Sequence, residues 1–237
     1  MHLTSLSIPV RDLTFADYFQ TVLGLRVEST GSATAQVRLG TTTLKLRVEP
    51  SIGAGIQHLA FTIPTGKFGS AKSWLIDRVK LIADVSGQDQ FEGPARWNSL
   101  SVYFEGPDKS VLELIERRDL PNTREGPFSP ADLLCVSEVG VAVPDVRATA
   151  GALKEKAGIE WYGSAPSDTF AAVGDANGLL ILVPTGRAWW PTTDRRARAC
   201  QIVVEATGHS GRHNLGSSVL VQHLPSARQA AQSDLSG

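Results

Sequence analysis

Cysteine, methionine and any excess of charge are what this sequence has least of. It holds two cysteines and one methionine in 237 residues. Cys135 ("DLLCVSEV") and Cys200 ("RACQIVVE") both lie in apolar, strand-like segments. They read as two buried free thiols rather than a disulfide, and cysteines at zinc-site spacing are missing. Neither cysteine has a context that activates a thiol, and no Ser–His–Asp or Cys–His arrangement stands out, which removes the usual nucleophilic hydrolases. A net charge of −1 excludes the electrostatic footprint needed for nucleic acid or an anionic membrane surface. No apolar run approaches the ~20 residues that span a bilayer. The start, "MHLTSLSIPVRDL", lacks the basic opening and continuous apolar stretch of a secretory signal. A cytoplasmic protein is expected, with neither nucleic acid nor membrane as a partner.

What is present is ordinary in composition, with apolar residues at 42% and charged residues at 20%, and long enough for one large or two medium domains with a real core. The informative signal is repetition. "SLSIPVRDLTFADYF" from Ser5, "HLAFTIPTGKFGSAKSW" from His58 and "EVGVAVPDVRATAGAL" from Glu138 each read as a short alternating strand, a turn and a helix. Asp12 and Asp145 are placed to cap the helix starts, and Gly24 to end the first helix after Phe15, Phe19, Val22 and Leu23. An apolar hairpin strand follows in each unit: "TTTLKLRVE", "KSVLELIE" and "NGLLILVP". The fold class is therefore α+β, built of tandem βαβββ units. Residues 1–118 hold two paired units (1–50 and 54–118), 119–131 a linker, 132–206 a third unit with the remnant of a fourth, and 207–237 a poorly ordered tail.

Side chains alternate across a strand, so parity sorts the faces. Leu6, Ile8 and Val10, then Leu59, Phe61 and Ile63, then Val139, Val141 and Val143 form faces that pack under helices. The opposite faces are small and polar: Ser5 and Ser7; His58, Ala60 and Thr62; Glu138, Gly140 and Ala142. A curved sheet with helices outside and such residues inside leaves a cavity. Trp97, Ser99, Ser101 and Tyr103 share one face of the strand after "EGPAR", offering an indole, a phenol and two hydroxyls to a small-molecule ligand. Packing as core, with their polar tips satisfied locally, is the competing reading for the two aromatics. Glu113 stands mid-strand among leucines in "SVLELIERR" and needs a cation, a metal or donors; Glu116, close to the strand end, can reach water.

The stretches "IPVRDL…DYFQTVLGLRV", "IQHLAFTIP" and "VYFEGPDKSVLELIE" resemble the vicinal oxygen chelate superfamily, which includes glyoxalase I, extradiol dioxygenases and bleomycin-resistance proteins. The resemblance implies paired βαβββ units forming half-barrel sheets around one site. It implies His or Glu metal ligands on first and last strands, and a divalent ion (Fe, Mn, Ni or Zn) that binds two adjacent substrate oxygens as a Lewis acid. Carried over by position, His58 and Glu113 are metal ligands. Ser5 and Lys45 stand at the matching positions of the first unit, and Glu138 and Ile181 at those of the third.

Two functions follow. One is a metal-dependent lyase or dioxygenase in which His58 and Glu113 hold the ion, and Glu113, Tyr103 or Lys45 handles protons or charge. The other is a metal-free binding or sequestration protein of the bleomycin-resistance type. Lys45 and Glu113 are expected to meet across the cavity floor as an ion pair, which would repel a dication and leave metal binding weak. Ser5, Arg38 and Arg47 join Trp97, Ser99 and Ser101 as ligand-binding candidates. "GRAWWPT" supplies two tryptophans, one for the core and one to close over a ligand or meet a second copy in a homodimer. "GDANGLL" reads as a hairpin turn, and His209 and His213 in "GHSGRH" as a surface loop.

Overall fold

The alternating segments form strands and the segments after each turn form helices. The computed structural model describes residues 1–53, 57–207, 211–214 and 219–224, the last two segments by their backbone. The order is β1 (Leu3–Val10), α1 (Thr14–Thr21), β2 (Arg26–Gly31), β3 (Thr34–Leu39), β4 (Thr42–Val48), β5 (His58–Ile63), α2 (Phe68–Ile76), β6 (Leu81–Ile82), β7 (Phe91–Glu92), β8 (Ser99–Glu105), β9 (Val111–Arg117), β10 (Cys135–Val143), α3 (Val146–Ala157), β11 (Ala171–Asp175), β12 (Gly178–Pro184), β13 (Ile202–Thr207), β14 (Gly211–Asn214) and β15 (Val219–Leu224).

These elements make two open mixed sheets. Sheet A runs β14-β15-β13-β1-β4-β3-β2, and sheet B runs β11-β12-β10-β5-β9-β8-β6, with β7 also on β8. Each of the first three units contributes a parallel pair, β1/β4, β5/β9 and β10/β12, whose crossover carries the helix. The units are joined by antiparallel pairs, β5 to β10 and β1 to β13. The second unit is thus partnered by the third, and the first by the strand in "ACQIVVEA". The expected pairing of units one and two in a common sheet does not occur. In the segment expected as a poorly ordered tail, β14 and β15 extend sheet A. His213 falls in β14, and His209 lies outside the described residues.

One apolar cluster runs through the core faces of both sheets, from Leu6 and Phe19 to Phe61, Val139 and Leu153, with Phe19 of α1 edge-on to Phe61 of β5 at 6.2 Å. Asp145 caps α3 by accepting from the Ala148 N–H at 2.9 Å. Gly24, just past α1, has φ +66 and sits where an added Cβ would come within 2.9 Å of Pro130. Asp12 accepts from the Thr14 N–H at 2.9 Å rather than from deeper in α1. Glu116, expected to reach water, is buried and caps α2 instead, accepting from Gly66 and Phe68 N–H groups at 3.0 Å each. No helix among the described residues is long and apolar enough to cross a membrane.

Residues 119–131 lack periodicity yet are fastened to α2. Asn122 Oδ1 accepts from the Thr65 N–H at 2.9 Å. Lys67 Nζ donates to the Glu125 carbonyl at 3.2 Å and to Asp132 Oδ1 at 3.1 Å. Both members of the Lys67–Asp132 pair are buried, with side chains 7% and 6% exposed. Lys67→Met should therefore lose up to roughly 3–5 kcal/mol by leaving a buried carboxylate with only Arg124, 3.9 Å away, as counter-charge, and adding Asp132→Asn should recover much of it. Lys45→Met, which breaks a partly exposed pair, should cost under about 1 kcal/mol. Urea unfolding of the three variants tests the contrast.

A candidate metal centre under an aromatic cavity

Strand register sets the site. Ala60 of β5 has Glu113 of β9 as its Cα partner on one side and Glu138 of β10 on the other. Regular alternation puts His58, two residues before Ala60, on the same face. Glu138 falls on that face by alternation with Gly140 and Ala142, and an irregularity precedes it. Between Val136 and Glu138 the register with β5 shifts by one, so that Cys135 and Glu138 both oppose cavity-side residues of β5. Three buried side chains thus surround the small Ala60. Ligand atoms of His58, Glu113 and Glu138 all lie within 4.8 Å of one another.

Each ligand is held from behind. His58 Nδ1 is 3.2 Å from the Val111 carbonyl, which can only accept, so Nδ1 carries the proton and Nε2 presents its lone pair. Nε2 stands 3.6 Å from Glu113 Oε2. Burial pushes the His58 pKa down to about 4, which keeps the ring neutral. Burial, then the charge of Glu138, pushes the Glu113 pKa up to about 8, against the opposing pull of the Ser101 and Tyr103 hydroxyls and the Arg117 charge. Glu138 is raised by burial as well, opposed by Arg117, whose Nη2 donates to Glu138 while its Nε donates to Ser137 Oγ at 3.2 Å. Arg117 is 1% exposed and is flanked by the Trp97 and Tyr162 rings at 5.3 and 5.6 Å. Burial and Glu113 hold the Tyr103 phenol well above its ordinary pKa, so it stays a donor.

Over these groups lies a cavity of about 230 Å³, lined by His58, Trp97, Tyr103, Glu138, Trp189 and others. An adjoining hollow of about 160 Å³ reaches Ser99, Ser101 and Glu113. Trp189 is packed against His58 at 5.4 Å directly above Gly140, where a Cβ would lie 2.6 Å from the indole. The neighbouring Trp190 is 53% exposed and lines both hollows. The two tryptophans thus divide into one buried ring and one at the rim.

Six sequence candidates therefore share this region: His58, Trp97, Ser99, Ser101, Tyr103 and Glu113. Ser5, Lys45, Arg38 and Arg47 do not, because the first unit belongs to the other sheet. Ser5 and Lys45 keep the register positions in sheet A that His58 and Glu113 hold in sheet B. The expected Lys45–Glu113 pair is replaced by Lys45–Glu205 at 3.2 Å. Arg47 donates to Ser7 Oγ at 2.9 Å and the Gln201 carbonyl at 2.8 Å, and Arg38 to Thr43 Oγ1 at 2.6 Å. Sequence reasoning set Glu138 at a ligand position but gave it no partners, and it missed Arg117. Parity along β9 was the available signal, since Arg117 follows Glu113 and Ile115 on one face.

The donor set fits a divalent ion. A neutral imidazole nitrogen and two carboxylates suit Fe, Mn, Ni or Zn with positions left open. Two mutually repelling buried carboxylates are also what a dication relieves. The cation expected to repel it, Lys45, is in the other sheet.

No protein-family model matches the sequence, and no curated protein matches it. Solved structures do. A dioxygenase candidate from Bacillus subtilis subsp. subtilis str. 168 is similar at TM-score 0.59 and 16% identity, over 96% of this chain and 86% of that one. Glyoxalase I from Zea mays is similar at TM-score 0.52 and 16% identity, over 86% and 74%. The fold is that of the glyoxalase and dioxygenase proteins, in keeping with the vicinal oxygen chelate resemblance.

The metal-free site has a pH signature. Unfolded, Glu113 titrates near 4.5 and His58 near 6.5; folded, they move to about 8 and about 4. From pH 4.5 to 6.5 the folded chain holds the extra Glu113 proton while the unfolded chain holds the extra His58 proton, and the two oppose. Above 6.5 only the raised carboxylates act, so stability falls as pH rises toward about 8, by roughly 1.4 kcal/mol per pH unit for each proton. Glu113→Gln should flatten that limb. Urea midpoints at several pH values in chelator measure it, and an equal slope in the variant would refute the assignment.

Proposed function

We propose that the chain is a metal-dependent enzyme of the glyoxalase or extradiol-dioxygenase kind, acting on a small molecule with two adjacent oxygens in the sheet B cavity. The observation that carries this reading is the cluster of His58, Glu113 and Glu138, three buried ligands within 4.8 Å of one another at the floor of an aromatic-walled hollow. These three would hold the ion, which when bound supplies Lewis acidity to the substrate oxygens. Val111 fixes the His58 tautomer, and Arg117 aims Glu138. Tyr103, kept protonated, and Ser101 orient Glu113 and offer hydrogen bonds to a bound oxygen. Trp97, Trp189 and Trp190 exclude water and present flat faces to a ring or conjugated chain.

A metal-free binding protein is the second reading, and one observation favours it. With His58 neutral, Glu113 protonated and Glu138 offset by Arg117, the floor is uncharged without an ion. The two readings part in a titration. After dialysis against chelator and titration with Fe, Mn, Ni or Zn, the enzyme reading expects one ion taken up per chain by elemental analysis. It also expects about 2.7 kcal/mol of added stability at a hundredfold excess over the dissociation constant. Because binding displaces the Glu113 proton, affinity should fall about tenfold per pH unit below roughly pH 8. His58→Ala or Glu138→Ala should abolish binding. No metal-dependent rise in melting temperature would leave the sequestration reading standing.

A further inference from the structure

Most cations around the cavity already have a counter-charge. Arg117 meets Glu138, Arg118 meets Glu92 at 3.0 Å, and Arg195 meets Glu105. Arg187 differs. It lines the cavity together with His58 and Glu138, its guanidinium lies over the Phe170 ring at 5.8 Å, and among the described residues its side chain has no ion pair or hydrogen bond. Burial without a counter-charge pulls its pKa below the ordinary value. A half-buried guanidinium left unpaired at the opening of an aromatic hollow is a group lacking its anion.

We propose that Arg187 docks a carboxylate of the cavity's ligand, which makes the substrate a flat monoanion. The charge balance favours this. Glu138 is already paired with Arg117, so among the described residues Arg187 is the cavity-lining charge without a counter-charge. A single guanidinium matches a carboxylate through two parallel hydrogen bonds, whereas a phosphate dianion calls for further donors. The Phe170 ring beneath the guanidinium holds it in place, and Trp97 and Trp189 form the apolar walls against which a planar body would lie. The inference rests on the cavity being a ligand site, and it is independent of whether that site also holds a metal.

Para-hydroxybenzoate and para-hydroxybenzamide are the probes, alike in shape and different in charge, with quenching of tryptophan fluorescence as the readout. The measurement is made in chelator and repeated with Mn. The wild-type chain should bind the acid about tenfold or more tighter than the amide, the scale of one charge-assisted pair. Arg187→Gln should bring the two within about twofold while leaving the amide's affinity in place. Equal affinity for both probes in the wild type, survival of the preference in Arg187→Gln, or no quenching by the acid at millimolar concentration would each overturn the proposal. A preference for the acid in chelator with no metal uptake would sink the enzyme reading and leave this one intact; metal uptake without the preference would do the reverse.

Discussion

Glu113 and Glu138 are held out of water on the two strands that flank Ala60, and the rest of the site is arranged around that burden. Moving one ionised carboxylate into an apolar interior costs several kcal/mol even after relaxation, and two side by side cost more because they repel. The molecule meets this in different ways on the two sides. Glu138 receives a guanidinium, itself packed against two aromatic rings. Glu113 receives only neutral donors, so its proton is retained near neutrality. The result is a pair in which one carboxylate is matched by a cation and the other is poised to exchange its proton for something more positive.

Sheet A shows what the same architecture looks like without that burden. Lys45 stands where Glu113 does, but its partner Glu205 is across the β1/β13 seam, and both side chains are partly exposed, at 39% and 29%. A salt bridge in such surroundings contributes little and constrains little. Sheet B carries a second apolar layer on its cavity side, including Val111, Leu179, Ile181, Val183 and Trp189. The corresponding face of β4 is half-exposed, at Thr43, Lys45 and Arg47. One repeat pair therefore encloses an aromatic-walled hollow, and the other presents half-exposed polar residues on the matching face of β4.

That difference is legible in the sequence, in how continuous the apolar character of each strand is. Strands β5, β9, β10 and β12 are buried on both faces nearly throughout, and "VLELI" and "GLLILV" are correspondingly continuous in apolar character. Strands β4 and β13 alternate buried with half-exposed residues, as "TLKLRV" and "QIVVEA" do. Strands of like character pair, so the second unit takes the third and the first takes β13. Parity alone recovered the faces and gathered His58, Glu113, Trp97, Ser99, Ser101 and Tyr103. It could not say which sheet each unit would join, since that depends on edges contributed from far along the chain. It also could not foresee the slipped register at Ser137, which sets Cys135 as well as Glu138 opposite cavity-side residues of β5. Arg187 and Trp189 come from a segment without period, where alternation has nothing to say.

That segment has a consequence of its own. Residues 185–201 leave the end of β12 in sheet B and deliver the chain to β13 in sheet A, and on the way they lay Arg187, Trp189 and Trp190 over the cavity. Both ends are anchored in sheets, a bridge pairs Ala188 with Arg196, and Arg195 is tied to Glu105. The roof of the hollow is therefore not a loose flap but a strap stretched between the two halves of the molecule. Its conformational freedom is spent when the halves assemble, so little is left to lose when a ligand arrives. Any shift of one sheet against the other would be felt first as a change in the height of that roof.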